Sequence, residues 1–396
     1  MNKLRATFFF FILGIIALFL YSFTQVDLSL TLSRASIFQL VEKQLQYLGF
    51  YQRPVSAIIF ISISTILFIC YLFLLYFAKK GILKIKQISV LIIITLILLT
   101  FSYNAFSYDL FNYIFDAKIV TAYSQNPYFH KAADFAGDPM LSFMRWTHRV
   151  YPYGPSWLAL TVPLSFLGFG LFLPTFFLFK FLMGLSFLGS AYLIYKISDM
   201  LFPKDKIFNL VFWAFNPLVL IECLVSAHND VPMIFFMLLS IYLYLKRKTV
   251  LSIFSYIFSV GVKYSSGVLL PVLSIVYFLE KTKRKINWEN IFLAFLGLSL
   301  LTTIFATIRT NFQPWYLIFP LAMASFVCKK YYVLISSFLL SFFSILIYFT
   351  YVLMTDYAKG YPGIIFNIQI LGLTLAIIAP LVYKFIFKRH LKVSFD

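Results

Sequence analysis

Apolar runs of helix length alternate with short polar connections along nearly the whole chain. That rhythm predicts membrane-spanning helices and not the half-buried helices of a soluble core. The runs fall at approximately 7–23, 56–78, 87–105, 172–196, 207–226, 231–246, 250–263, 265–280, 288–308, 314–328, 333–353 and 363–387. The expected fold is therefore all-α, a polytopic transmembrane helix bundle of about 12 spans, with a range of about 10–13. Residues 106–171 break the rhythm. The one apolar piece inside them, 156–171, is short and interrupted by Pro163, Gly168 and Gly170, so it is expected to lie along the membrane interface.

Composition agrees, with 62% hydrophobic and 12% charged residues. The net charge of +19 would point to nucleic acid in a soluble protein. Here basic clusters at Lys3/Arg5, Lys79–Lys86, Lys196–Lys206, Lys246–Lys248, Lys281–Lys285, Lys329/Lys330 and Lys384–Lys392 hold two thirds of the basic residues. The positive-inside rule places them on the cytoplasmic side. Both termini are then cytoplasmic, the N-terminal run is an uncleaved first span, and 106–171 becomes a large external loop carrying membrane-interface helices. Residues 24–54 form a smaller external loop. Counting 156–171 as a span would push every later basic cluster outside. Cys70, Cys223 and Cys328 show no metal-ligand spacing, so neither a disulfide framework nor a metal site is expected.

The external loop concentrates chemistry. Between Ser107 and Trp157 stand Asp109, Asp116, Asp134 and Asp138, four of only 14 acidic residues, with His130, His148, Arg145 and Arg149. Read as a helix, Asp109 and Asp116 lie two turns apart on one face with Tyr113 between them. The predicted topology brings His228-Asn229-Asp230, Lys263, Arg309 and Trp315-Tyr316 to the same side, with Glu222 and Lys180 in the outer halves of spans. Simpler roles compete: a solvated loop, snorkelling lysines at Lys180 and Lys263, and an aromatic belt at Trp315-Tyr316. Convergence on one side favours a site. Lysine and arginine suit a phosphate, and a carboxylate suits a hydroxyl to be deprotonated. No glycine-rich nucleotide loop is present, so a lipid-linked phosphate donor fits better than a soluble nucleotide.

Ser107-Tyr108-Asp109-Leu110-Phe111-Asn112-Tyr113-Ile114-Phe115-Asp116-Ala117-Lys118, followed by Asn126-Pro127-Tyr128, resembles the first large external loop of polyprenol-phosphate-mannose-dependent mannosyltransferases. These are integral membrane enzymes of the glycosyltransferase C superfamily. Tyr153-Gly154-Pro155, His228-Asn229-Asp230, Lys263 and Gln313-Pro314-Trp315-Tyr316 recur in the same order, and the resemblance spans roughly 87–330. The family often has a second acidic residue where this chain has Tyr108, and a glycine-arginine pair at Ala117-Lys118.

The resemblance implies inverting transfer of a hexose, mannose first among them, from a polyprenyl-phosphate sugar to a glycan or glycolipid hydroxyl on the external face. It implies no cofactor, although a divalent metal is not excluded. Asp109 and Asp116 are the catalytic candidates. Arg145, Arg149 and Lys263 are expected to hold the phosphate, with His148 and Lys180 as weaker candidates. Tyr113, Asn126, Tyr128, Tyr153, His228, Asn229, Asp230, Trp315 and Tyr316 are expected to bind or frame substrate. The chain then divides into N-terminal spans (1–86), a catalytic membrane module (87–287) and C-terminal spans (288–396). A transporter or flippase of a lipid-linked saccharide is the alternative. It would distribute polar residues through the bilayer and show paired half-repeats, whereas here the carboxylates gather toward one side and no repeat stands out.

Overall fold

The computed structural model describes residues 3–355 and 358–387; Lys388, Arg389 and Lys392 of the last basic cluster lie outside them. Among the described residues the chain forms helices and turns, with a single antiparallel bridge between Lys131 and Val150. Helices α1 (Lys3–Ser22) and α3 (Arg53–Lys79) flank a short amphipathic α2 (Ser36–Gln46). After α4 (Ile85–Thr100) comes the long loop with α5 (Asp109–Thr121) and α6 (Pro155–Leu167). Next are α7 (Phe172–Leu201), α8 (Lys206–Ala214), α9 (Pro217–Leu220), α10 (Asp230–Leu245), α11 (Thr249–Val262) and α12 (Leu270–Lys281). The chain closes with α13 (Trp288–Thr310), α14 (Ile318–Ala324), α15 (Tyr331–Met354) and α16 (Tyr361–Val382).

Among the described residues six helices are long and apolar enough to cross a membrane, or seven if α8 and α9 count as one bent span. The expected count of twelve is not reached by this measure. Helices do form at most of the expected places, but α4 and α10 have 16 residues and α11 has 14, against the roughly 20 that a hydrocarbon core of about 30 Å requires. The expected span at 265–280 is split, because a 3-10 turn (Tyr264–Leu269) precedes a 12-residue α12 that has Pro271 in its first turn. The one at 314–328 becomes a 3-10 turn (Pro314–Leu317) and a seven-residue α14.

The heart of the bundle is the bent pair α8–α9 together with the start of α10: every residue from Phe208 to Ile234 is buried. The 56° bend comes from Asn216-Pro217. Proline disfavours helical backbone at the residue before it, and Asn216 is extended, its side chain accepting from the Leu218 amide at 3.0 Å. The Asn216 side-chain amide donates to Ser341 Oγ on α15, also at 3.0 Å. The chain beyond α9 widens into a π-turn (Ile221–Val225). Ala227 then takes a left-handed conformation with φ 58°, which costs a non-glycine residue about 1–2 kcal/mol. That strained corner presents the next three residues, His228-Asn229-Asp230, at the start of α10.

Lys180 secures this break. It is fully buried on α7, and its Nζ donates to the carbonyls of Leu224 and Val225, the latter at 3.0 Å, and to Ser102 Oγ at 3.3 Å. Those carbonyls end a helix and lack intrahelical partners, so the Lys180 donors satisfy acceptors that would otherwise be buried unpaired. Its Nζ is thus turned onto the backbone of the broken helix, a local role that its position in an apolar run did not foretell.

One glycine pair fixes the loop to the bundle. A Cβ built on Gly154 would stand 2.3 Å from the carbonyl oxygen of Gly261, and one on Gly261 would stand 2.2 Å from Ser156 Oγ. Only glycine lets the start of α6 approach the end of α11 this closely, two residues before Lys263.

Candidate active site

Asp109 is the first residue of α5, where the helix dipole favours a carboxylate, and its amide donates to Ser107 Oγ at 3.2 Å. Its Oδ2 lies 3.4 Å from His228 Nδ1, and His228 Nε2 lies 3.2 Å from Glu222 Oε2. These are ion-pair distances, and neither contact has the alignment of a hydrogen bond. His228 and Glu222 are wholly buried, whereas the Asp109 side chain remains 18% exposed. Burial by itself would lower the His228 pKa, but the contacts with Asp109 and Glu222 outweigh it and hold the imidazole at about 9. The ring is therefore an imidazolium at neutral pH, bridging one open and one enclosed carboxylate. One face of the Trp315 indole covers it.

Tyr113 stands one turn along α5. Its hydroxyl donates to Asn229 Oδ1 at 3.3 Å, and Tyr153 and Trp157 meet its ring edge-on at 5.4 and 5.3 Å. Next to Asn229, Asp230 is buried and accepts from Lys263 Nζ at 2.6 Å. Asp116 lies farther along the same helix, close enough to Tyr151 and Tyr153 for its charge to act on both hydroxyls. Its burial pushes the carboxyl up to about 8, and among the described residues it has no hydrogen bond or ion pair.

Buried polar atoms without hydrogen-bond partners gather here. They include both Glu222 oxygens, both His228 nitrogens, Asn229 Nδ2, Trp157 Nε1 and the Tyr348 hydroxyl beside Glu222. Native interiors leave few such atoms, and a cluster of them around one histidine marks a place built for a polar ligand or for water. Among the described residues no group of three or more His, Cys, Asp or Glu side chains is arranged to hold a metal ion.

The remaining candidates take other positions. Asn126 Oδ1 accepts from the Tyr128 amide at 3.0 Å, and the Tyr128 hydroxyl donates to the Tyr153 carbonyl at 3.1 Å, so both shape the loop beside Tyr153. Arg145 lies over the Tyr108 ring at 4.6 Å, and the Tyr108 hydroxyl donates to Asp27 at 3.3 Å. Arg149 lies over Trp146 at 4.3 Å, with His148 near the same indole; both are exposed. Neither shares a described contact with the Asp109–His228 group. The Tyr316 hydroxyl shares a hydrogen bond with Thr310 at 2.7 Å. Lys118 pairs with buried Asp138 at 2.5 Å, bracing the loop. Glu222 is the member of the site that the sequence motifs left out. Its signal was a lone carboxylate inside an apolar run, six residues before the histidine.

Residues 11–279 match the model of a family described as alpha-(1->6)-mannopyranosyltransferase, N-terminal domain. No curated protein and no solved structure matches the chain.

Proposed function

Because the chain belongs to the alpha-(1->6)-mannopyranosyltransferase family, and is thus a mannose-transferring glycosyltransferase, we propose that it moves mannose from a polyprenyl-phosphate donor to the 6-hydroxyl of a mannoside. The observation that carries this reading is the part-exposed Asp109 carboxylate, set against a buried imidazolium and flanked by unpartnered polar groups. In the reaction the acceptor oxygen attacks the anomeric carbon, and its proton passes to Asp109. The bond from that carbon to the phosphate oxygen breaks on the opposite side, its electron pair leaving with the lipid phosphate. The configuration inverts through an oxocarbenium-like state, so an α product requires a β-linked donor.

His228 positions Asp109. Asn229, held by Tyr113, offers an amide to a sugar hydroxyl, and Asp116 holds a second hydroxyl or the Tyr151–Tyr153 edge of the loop. Lys263 has three donors and spends one on Asp230, leaving the others for the departing phosphate; Arg145 and Arg149, which lie over Tyr108 and Trp146 on the loop, are further candidates for it. The scheme uses no cofactor or metal. The multi-pass arrangement, with cytoplasmic termini and α5 on the external face, belongs to the proposal and rests on the basic clusters.

The test is to offer purified protein a polyprenyl-phosphate β-mannose and an α-mannoside acceptor. Stoichiometric release of polyprenyl phosphate and a new α-(1→6) bond are expected. Transfer from a nucleotide sugar without lipid donor would overturn the reading.

A further inference from the structure

We propose that the cleft between α11 and α12 is the subsite for the polyprenyl chain of the donor, its apex at the turn that carries Lys263. This rests on the lipid-donor reading and gives it a place. The two helices leave the 3-10 turn Tyr264–Leu269 and hardly touch along their lengths, so a cleft of about 710 Å³ opens between them. Pockets that enclose small ligands run to about 300–1,000 Å³. Its walls are mainly apolar, with Ile257 and Val260 on α11, Leu273 and Val276 on α12, and Phe295 behind on α13.

Two features argue for a specific occupant over loose membrane lipid. At the apex the cleft reaches Val260 and Gly267, which bracket Lys263, and the Tyr256 hydroxyl pins the turn through the carbonyls of Ser266 and Gly267 at 3.1 and 3.0 Å. Lys263 in turn reaches Asp230 in the site. A lipid phosphate beside Lys263 would therefore find an apolar channel starting at its own ester oxygen. At the opposite end Glu280 on α12 meets Tyr244 and Arg247 from α10 and the residues after it. That latch ties the far end of α12 to α10 beside the cleft, while Ile253 on the α11 wall is exposed and leaves that side open for lateral entry of a long chain.

Two experiments test this on the full chain in lipid vesicles. Val260→Trp and Ser274→Trp narrow the cleft from opposite walls, and Ser274 is exposed and makes no described hydrogen bond. Each should reduce the preference for a long-chain over a short-chain polyprenyl-phosphate mannose by about tenfold, the effect of losing one or two buried methylenes. Unchanged preference in both variants would overturn the assignment. Independently, a polyprenyl monophosphate with a photoreactive group in its tail should label α11 and α12 of the wild-type protein. Excess polyprenyl phosphate should abolish that labelling, and excess phospholipid should not. Labelling elsewhere, or competition by phospholipid, rejects the cleft. Specific labelling in the cleft without any mannosyl transfer by the wild type would keep the subsite and reject the donor reading instead.

Discussion

The His228 ring lies nearly parallel to the Trp315 indole, with centroids 4.2 Å apart and planes inclined by 19°. An imidazolium on an aromatic face gains cation–π attraction, and the indole also fixes the plane in which the ring meets Asp109 and Glu222. Trp315 thus has one face committed to the histidine, where the sequence had offered it to a sugar or to the lipid boundary.

Trp315→Phe should retain most activity, because a smaller ring can still cover the imidazolium. Trp315→Ala should lower kcat by about three- to tenfold, the range that aromatic pairing contributes, with a smaller change in donor KM. A rise in KM with unchanged kcat would mean that the indole contacts substrate directly.

Lys180→Met keeps the length of the side chain but removes the donors to Leu224 and Val225. Each carbonyl left buried without a partner costs about 1–3 kcal/mol, so thermal stability should fall. Activity should fall through kcat as the His228 corner loosens. A selective loss of donor affinity in a normally stable protein would return Lys180 to phosphate binding.

Asp116 supplies a pH test. Its carboxyl goes from an ordinary value of 3.8 to about 8 on folding, so folding takes up a proton between those values. The stability it contributes is complete below about pH 4 and is lost as pH rises through about 8. Wild-type protein should therefore lose thermal stability on going from about pH 5 to about pH 9 more steeply than Asp116→Asn. Parallel curves would show that the carboxyl ionises freely.

Gly154→Ala forces a methyl group onto the Gly261 carbonyl, 2.3 Å from where the Cβ would lie. Backbone on both sides gives the clash no flexible side chain to yield. The loop should shift from α11, lowering transfer and raising protease cutting between Asn126 and Gly154. Wild-type behaviour would show that this contact does not position the loop.

The local structure around the candidate residues was legible in the sequence. The spacing of Asp109, Tyr113 and Asp116 forecasts one helical face, and α5 spans all three. His228-Asn229-Asp230 reads as a turn before a helix and folds as one. What was not legible depends on tertiary placement. The partners of Glu222 and Lys180 follow from the break at Asn216-Pro217, which turns a continuous apolar run back toward α7. The count of about twelve spans is not confirmed where the chain ends helices early, as at the Tyr264–Leu269 turn, because hydropathy registers apolar length and not helix continuity.

Base catalysis by Asp109 is tested most directly by the Asp109→Asn variant, compared with Asp116→Asn at matched amounts of folded protein and saturating donor. Asparagine keeps the shape and one carbonyl oxygen but takes no proton at neutral pH, and loss of a general base costs about 100- to 10,000-fold. Mannosyl transfer should fall by that factor for Asp109→Asn and by less for Asp116→Asn. Near-wild-type transfer by Asp109→Asn would contradict base catalysis by Asp109.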